Sequence, residues 1–153
     1  MHSLDDLRAG HLKGTRHLRL SAGLSEFPRE IFDLADSLEV LDLSGNGLSS
    51  LPDDLPRLHR LRILFCSGNP FQELPEVLGR CPALEMVGFK SCRIVSVPAA
   101  SLPPRLRWLI LTDNQVEALP ATLGRCGRLQ KLMLAGNRLD RKSTRLNSSH
   151  GYR

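Results

Sequence analysis

Six segments of this 153-residue chain repeat one pattern at a nearly fixed spacing, and that period constrains the fold more than any other feature. The pattern reads L-x-x-L-x-L-x-x-N-x-L-x-x-L-P-x-x-L-x-x-L-x-x. Leu38, Leu41, Leu43, Asn46, Leu48, Leu51-Pro52, Leu55 and Leu58 match it throughout. Leu61, Leu64, Cys66, Asn69, Phe71, Leu74-Pro75, Leu78 and Cys81 follow in the same phase. A weaker unit holds Leu84, Val87, Phe89, Cys92, Ile94 and Val97-Pro98. Leu106, Leu109, Leu111, Asn114, Val116, Leu119-Pro120, Leu123 and Cys126 restore the pattern, and Leu129, Leu132, Leu134, Asn137 and Leu139 begin it again. Upstream, Leu18, Leu20, Leu24 and Phe27-Pro28 form a degenerate first unit. Units starting near 15, 38, 61, 84, 106 and 129 give steps of 23, 23, 23, 22 and 23 residues.

Each part of the pattern has a physical reading. In L-x-x-L-x-L the last two apolar positions alternate with outward ones, as in a short strand. The Asn closes a tight turn, its amide bonding backbone groups that would otherwise be buried unpaired. Leu-Pro then starts an extended or short helical return, because proline cannot continue a sheet. Stacking six such units buries one leucine-filled core. At the start of the chain, residues 3–9 are expected to form a helical cap over residues 1–14, with Ser3 capping and Leu4 and Leu7 turned inward.

Residues 15–139 resemble the leucine-rich repeat family, in its 23-residue Leu-Pro-rich form. The resemblance implies an α/β fold. It is a right-handed solenoid of about six repeats, with a parallel concave sheet and an irregular or short-helical convex side. It also implies protein–protein recognition through the concave face.

Residues 140–150, Asp-Arg-Lys-Ser-Thr-Arg-Leu-Asn-Ser-Ser-His, resemble the in-frame translation of a short-read sequencing adapter, so residues 140–153 are read as a non-native tail. On that reading the natural chain is truncated in mid-repeat after Leu139. The tail also distorts the charge. The whole chain has 21 Lys+Arg and 16 Asp+Glu, net +5, whereas residues 1–139 have 17 and 15, net +2. The high isoelectric point of about 9.4 therefore gives little support to nucleic-acid binding. No apolar run reaches the roughly 18 residues of a membrane span. The acidic start, Met1-His2-Ser3-Leu4-Asp5-Asp6, lacks the apolar stretch of a secretory signal. A cytoplasmic location is expected, with an injected bacterial effector as the alternative.

Repeat phase accounts for all four cysteines. Cys66 takes a strand-leucine position, Cys92 takes the Asn position, and Cys81 and Cys126 share one position two units apart. They read as structural thiols in a reducing compartment rather than as zinc ligands. His2, His11, His17 and His59 pair with no nucleophile or second ligand at a motif spacing. Gly45-Asn46-Gly47 is the repeat turn, since no Lys-Ser/Thr follows it as in a phosphate loop. No catalytic residue, metal ligand or cofactor site is therefore expected, and the chain does not read as an enzyme.

The outward positions carry the functional signal. The second position of successive units is Arg16, Glu39, Arg62, Glu85, Arg107 and Gln130, alternating in sign as a cross-strand ion ladder would. The third and fifth positions are His17 and Arg19, Val40 and Asp42, Ile63 and Phe65, Met86 and Gly88, Trp108 and Ile110, and Lys131 and Met133. A solvated strand has no use for Phe65, Trp108 and Ile110 there. Ile63, Phe65, Met86, Trp108, Ile110 and Met133 are therefore expected to form a partner patch, with Arg62, Glu85 and Arg107 as its charged rim. Phe65 and Trp108 would flank Met86, with Gly88 leaving a depression beside it.

The occupant of that patch is open between a protein partner and the protein's own missing C-terminal domain. The 23-residue form, the acidic start and the segment Leu102-Pro103-Pro104-Arg105-Leu106-Arg107-Trp108-Leu109-Ile110-Leu111 resemble bacterial proteins that join such repeats to a C-terminal Ser/Thr kinase domain. That resemblance implies a kinase parent for which this chain would be the sensor segment. No kinase motif occurs in the chain.

Overall fold

The computed structural model describes residues 2–139; the reading of 140–153 as a non-native tail lies outside them. Six three-residue strands form one parallel sheet in sequence order: β1 (His17–Arg19), β2 (Val40–Asp42), β3 (Ile63–Phe65), β4 (Met86–Gly88), β5 (Trp108–Ile110) and β6 (Lys131–Met133). Each strand spans the third to fifth positions of its unit. The register is strict, with Leu18, Leu41, Leu64, Val87, Leu109 and Leu132 pairing one to the next. All six side chains are buried and form one column beneath the sheet.

The strands stay short because the asparagine turn pulls the chain inward immediately after them. Asn69 Nδ2 donates to the carbonyls of Leu43 and Cys66, each at 3.0 Å, and its Oδ1 accepts the Leu48 N–H at 3.0 Å. One amide thus satisfies three backbone groups in two units. Asn46, Asn114 and Asn137 make the same kind of bonds. Cys92 replaces them with a thiol 3.3 Å from the Cys66 carbonyl oxygen. The residue before each turn side chain is left-handed. It is glycine at 45, 68 and 136, but Ser91 and Asp113 also adopt it, with φ of 55° and 59°.

After the apolar residue and its proline the chain returns through short 3₁₀ helices at Arg29–Leu34, Leu55–Arg57, Glu76–Arg80, Ala99–Ser101 and Ala121–Arg125. The prolines at 28, 75, 98 and 120 are extended and start four of them, as a fixed φ near −65° favours. The unit that begins at Leu84 departs from its neighbours. Ser101, not leucine, fills the place of Leu78 and Leu123; it is fully buried, and its hydroxyl donates to the Pro98 carbonyl at 2.6 Å. With Ala99 and Ala100 also small, this segment packs against Gly79, where a Cβ would collide with the Ala100 carbonyl.

The N-terminal helix α1 (Leu4–Arg8) is one turn long. Ser3 accepts the Asp6 N–H at 3.0 Å, and Leu7 is buried beside the first unit. His2 ties the start of the chain to the end of β1, its N–H donating to the Arg19 carbonyl at 3.0 Å. None of the described helices is long and apolar enough to cross a membrane.

Candidate functional site

Alternation along each strand places its first and third residues on the outer face while the middle residue enters the core. In β3 and β5 the burial pattern follows this rule, with Ile63, Phe65, Trp108 and Ile110 half-buried around fully buried Leu64 and Leu109. Parallel pairing aligns Ile63 with Met86, and Met86 with Trp108, in one row across three strands. The second row runs Phe65, Gly88, Ile110 and Met133. All six apolar site residues expected from the sequence therefore share one face. Met133 is the most open of them, at 37% exposed.

The structure brings six of the nine candidates around one groove. Arg62, Ile63, Glu85, Met86, Arg107 and Trp108 line a depression of about 120 Å³. Phe65, Ile110 and Met133 do not line it. The depression expected at Gly88 is absent, because the Phe65 ring covers that glycine. A Cβ on Gly88 would lie 2.7 Å from Phe65 Cδ1, so the missing side chain makes room for an aromatic from the same face. Lys131, the residue opposite Trp108 on β6, places its Nζ 5.1 Å from the indole centroid. It belongs to the site; the repeat register aligns it with Trp108 but does not aim its ammonium at the ring.

The charged rim forms pairs rather than a continuous ladder. Arg62 Nε lies 3.3 Å from Glu39 Oε1, and Arg107 Nη1 lies 3.3 Å from Glu85 Oε1. Arg107 Nη2 donates to Gln130 Oε1 at 3.1 Å. Among the described residues Arg16 makes no ion pair with Glu39, so the pairing does not reach the first unit although the signs alternate there. These pairs are partly solvated and orient the guanidinium groups more than they stabilise the fold.

The remaining chemistry is muted. Burial pushes all four thiols up: Cys81 to about 11, Cys66 well above the ordinary range, and Cys92 and Cys126 in the same direction. They are free and not thiolate nucleophiles at neutral pH. Among the described residues no group of three or more His, Cys, Asp or Glu side chains is placed to hold a metal ion.

The comparisons with known proteins agree with this architecture. Residues 36–79 match the family model described as Leucine Rich repeats (2 copies). The chain is 39% identical over 83 residues to the leucine-rich repeat and WD repeat-containing protein 1 of Xenopus laevis, covering 52% of the chain and 11% of that protein. It is 36% identical over 80 residues to the mouse leucine-rich repeat serine/threonine-protein kinase 1, covering 52% of the chain and 4% of that protein. Among solved structures, a leucine-rich repeat protein of Leptospira interrogans superposes with a TM-score of 0.72 at 29% identity, covering 82% of this chain and 32% of that one. The chain thus spans a small part of each relative's length. From its repeat phase, its turn asparagines and these matches, the chain is a leucine-rich repeat solenoid.

Proposed function

We propose that the chain is a protein-recognition module that binds its partner on the outer, concave face of the sheet, at the groove beneath Trp108. The in-register row of Ile63, Met86 and Trp108 carries this reading. Solvated strands do not align three large apolar side chains without a use for them, and tryptophan is enriched among residues that dominate interface energies. The half-buried Phe65 and Ile110 and the exposed Met133 extend the apolar surface beside the groove. The four free thiols favour a reducing compartment, and the cytoplasm is the proposed location.

Retention of a partner from a lysate of the source cells tests this. Wild type and Glu117→Ala, an exposed change away from the groove, should retain the same protein. Trp108→Ala should lose on the order of 2 kcal/mol of binding at a stability cost under about 1.5 kcal/mol. Retention unaffected by Trp108→Ala would refute the site.

A second reading is supported by the likeness to the mouse kinase: the repeats are the sensor segment of a Ser/Thr kinase, and the groove receives another domain of the same polypeptide. A Gly-rich loop and a His-Arg-Asp loop encoded past the codon for Leu139 would establish it. An intact gene without them would remove it.

A further inference from the structure

Charge is divided unevenly along the stack. Residues 1–83 carry nine Lys or Arg and twelve Asp or Glu, whereas residues 84–139 carry eight and three. The net charge therefore runs from −3 in the first part to +5 in the second, and the Trp108 groove lies where the basic part begins. A wider depression of about 570 Å³ shares Glu85 and Arg107 with the groove and is completed by Gly127, Arg128, Leu129 and Gln130. Arg62 and Arg107 are already engaged by Glu39 and Glu85. Arg128 and Lys131 are both exposed and make no ion pair among the described residues.

We propose that the occupant of this face is an acidic polypeptide segment with a single apolar anchor, a proposal that rests on the binding role given above. The groove has about 120 Å³, below the size of small-molecule sites and suited to one aliphatic side chain between Met86 and Trp108. Carboxylates flanking that anchor meet Arg128, and Lys131 beside the indole, without displacing a carboxylate already paired to either. The +5 region also attracts an acidic chain before contact, a long-range effect that salt screens.

Panning a random peptide display library against the full chain, and separately against Trp108→Ala and Arg128→Glu/Lys131→Glu, tests this. Matching thermal melts would first establish that the variants are folded. Peptides enriched on wild type over Trp108→Ala should carry a net negative charge and one Leu, Ile or Met. They should lose at least tenfold in affinity for the charge-reversed variant and weaken with added salt. Trp108-dependent peptides with no acidic bias would overturn the acidic-partner proposal while leaving the groove as a binding site. Enrichment indifferent to Trp108→Ala would overturn both. Displacement of the peptides by single-stranded RNA at lower concentration, or by a second copy of the chain, would identify a different occupant and also overturn the proposal.

Discussion

The turn side chain decides how each unit closes, because it is the polar group that the stack surrounds. Asn69 is only 2% exposed, so its removal leaves the carbonyls of Leu43 and Cys66 and the Leu48 N–H without their partner. Asn69→Ala should cost roughly 1–3 kcal/mol, while exposed Glu73→Ala in the same unit should cost under about 0.5 kcal/mol. Urea midpoints of the two variants check this, and equal losses would contradict it. Cys92 gives the complementary case, since its thiol reaches the Cys66 carbonyl as a weak donor. Cys92→Asn should stabilise the chain by about 1 kcal/mol in the same measurement, by restoring an amide to the ladder.

At the scale of elements, the return segments hold what the strand pattern does not describe. Gly79 is dictated by the Ala100 backbone rather than by its own dihedral angles. Gly79→Ala should cost about 1–3 kcal/mol or more, because it pushes apart two segments whose backbones touch. Thermal unfolding would show this, and an unchanged midpoint would mean that the segments do not pack so closely. Near the other end, Arg29 grips both Asp54 oxygens at 2.8 and 2.6 Å, and Arg57 reaches the second at 3.2 Å. Both guanidinium groups lie over the Phe32 ring, at 4.7 and 4.5 Å from its centroid. The Arg29 hydrogen bonds hold the Asp54 carboxyl down at about 2, against an ordinary 3.8. Because the folded value is the lower, this stabilisation is complete above pH 3.8 and disappears as pH falls through 2. The urea midpoint of wild type should therefore fall more steeply from pH 4 to pH 2 than that of Asp54→Asn. Parallel slopes would show that the cluster contributes nothing.

Across the whole molecule, what the sequence makes legible is whatever a period can encode. Register follows from the 23-residue step, and it placed Ile63, Met86 and Trp108 on neighbouring strands and one face. Period does not say which way a side chain lies on that face, so the Phe65 ring over Gly88 and the Lys131 ammonium over Trp108 are visible only in the folded chain. It is equally silent where a unit changes length. The 22-residue step conceals Ser101 at a leucine position, and the contact at Gly79 is a meeting of two backbones that no hydrophobic pattern records. The functional reading depends on one of these placements above all, that Trp108 belongs to the surface and its neighbour Leu109 to the core. Chemical denaturation of Trp108→Ala beside Leu109→Ala, followed by circular dichroism, tests that directly. Leu109→Ala should lose about 2–5 kcal/mol and Trp108→Ala under about 1.5 kcal/mol. A loss of roughly 3–5 kcal/mol for Trp108→Ala would place the indole in the core and contradict the account.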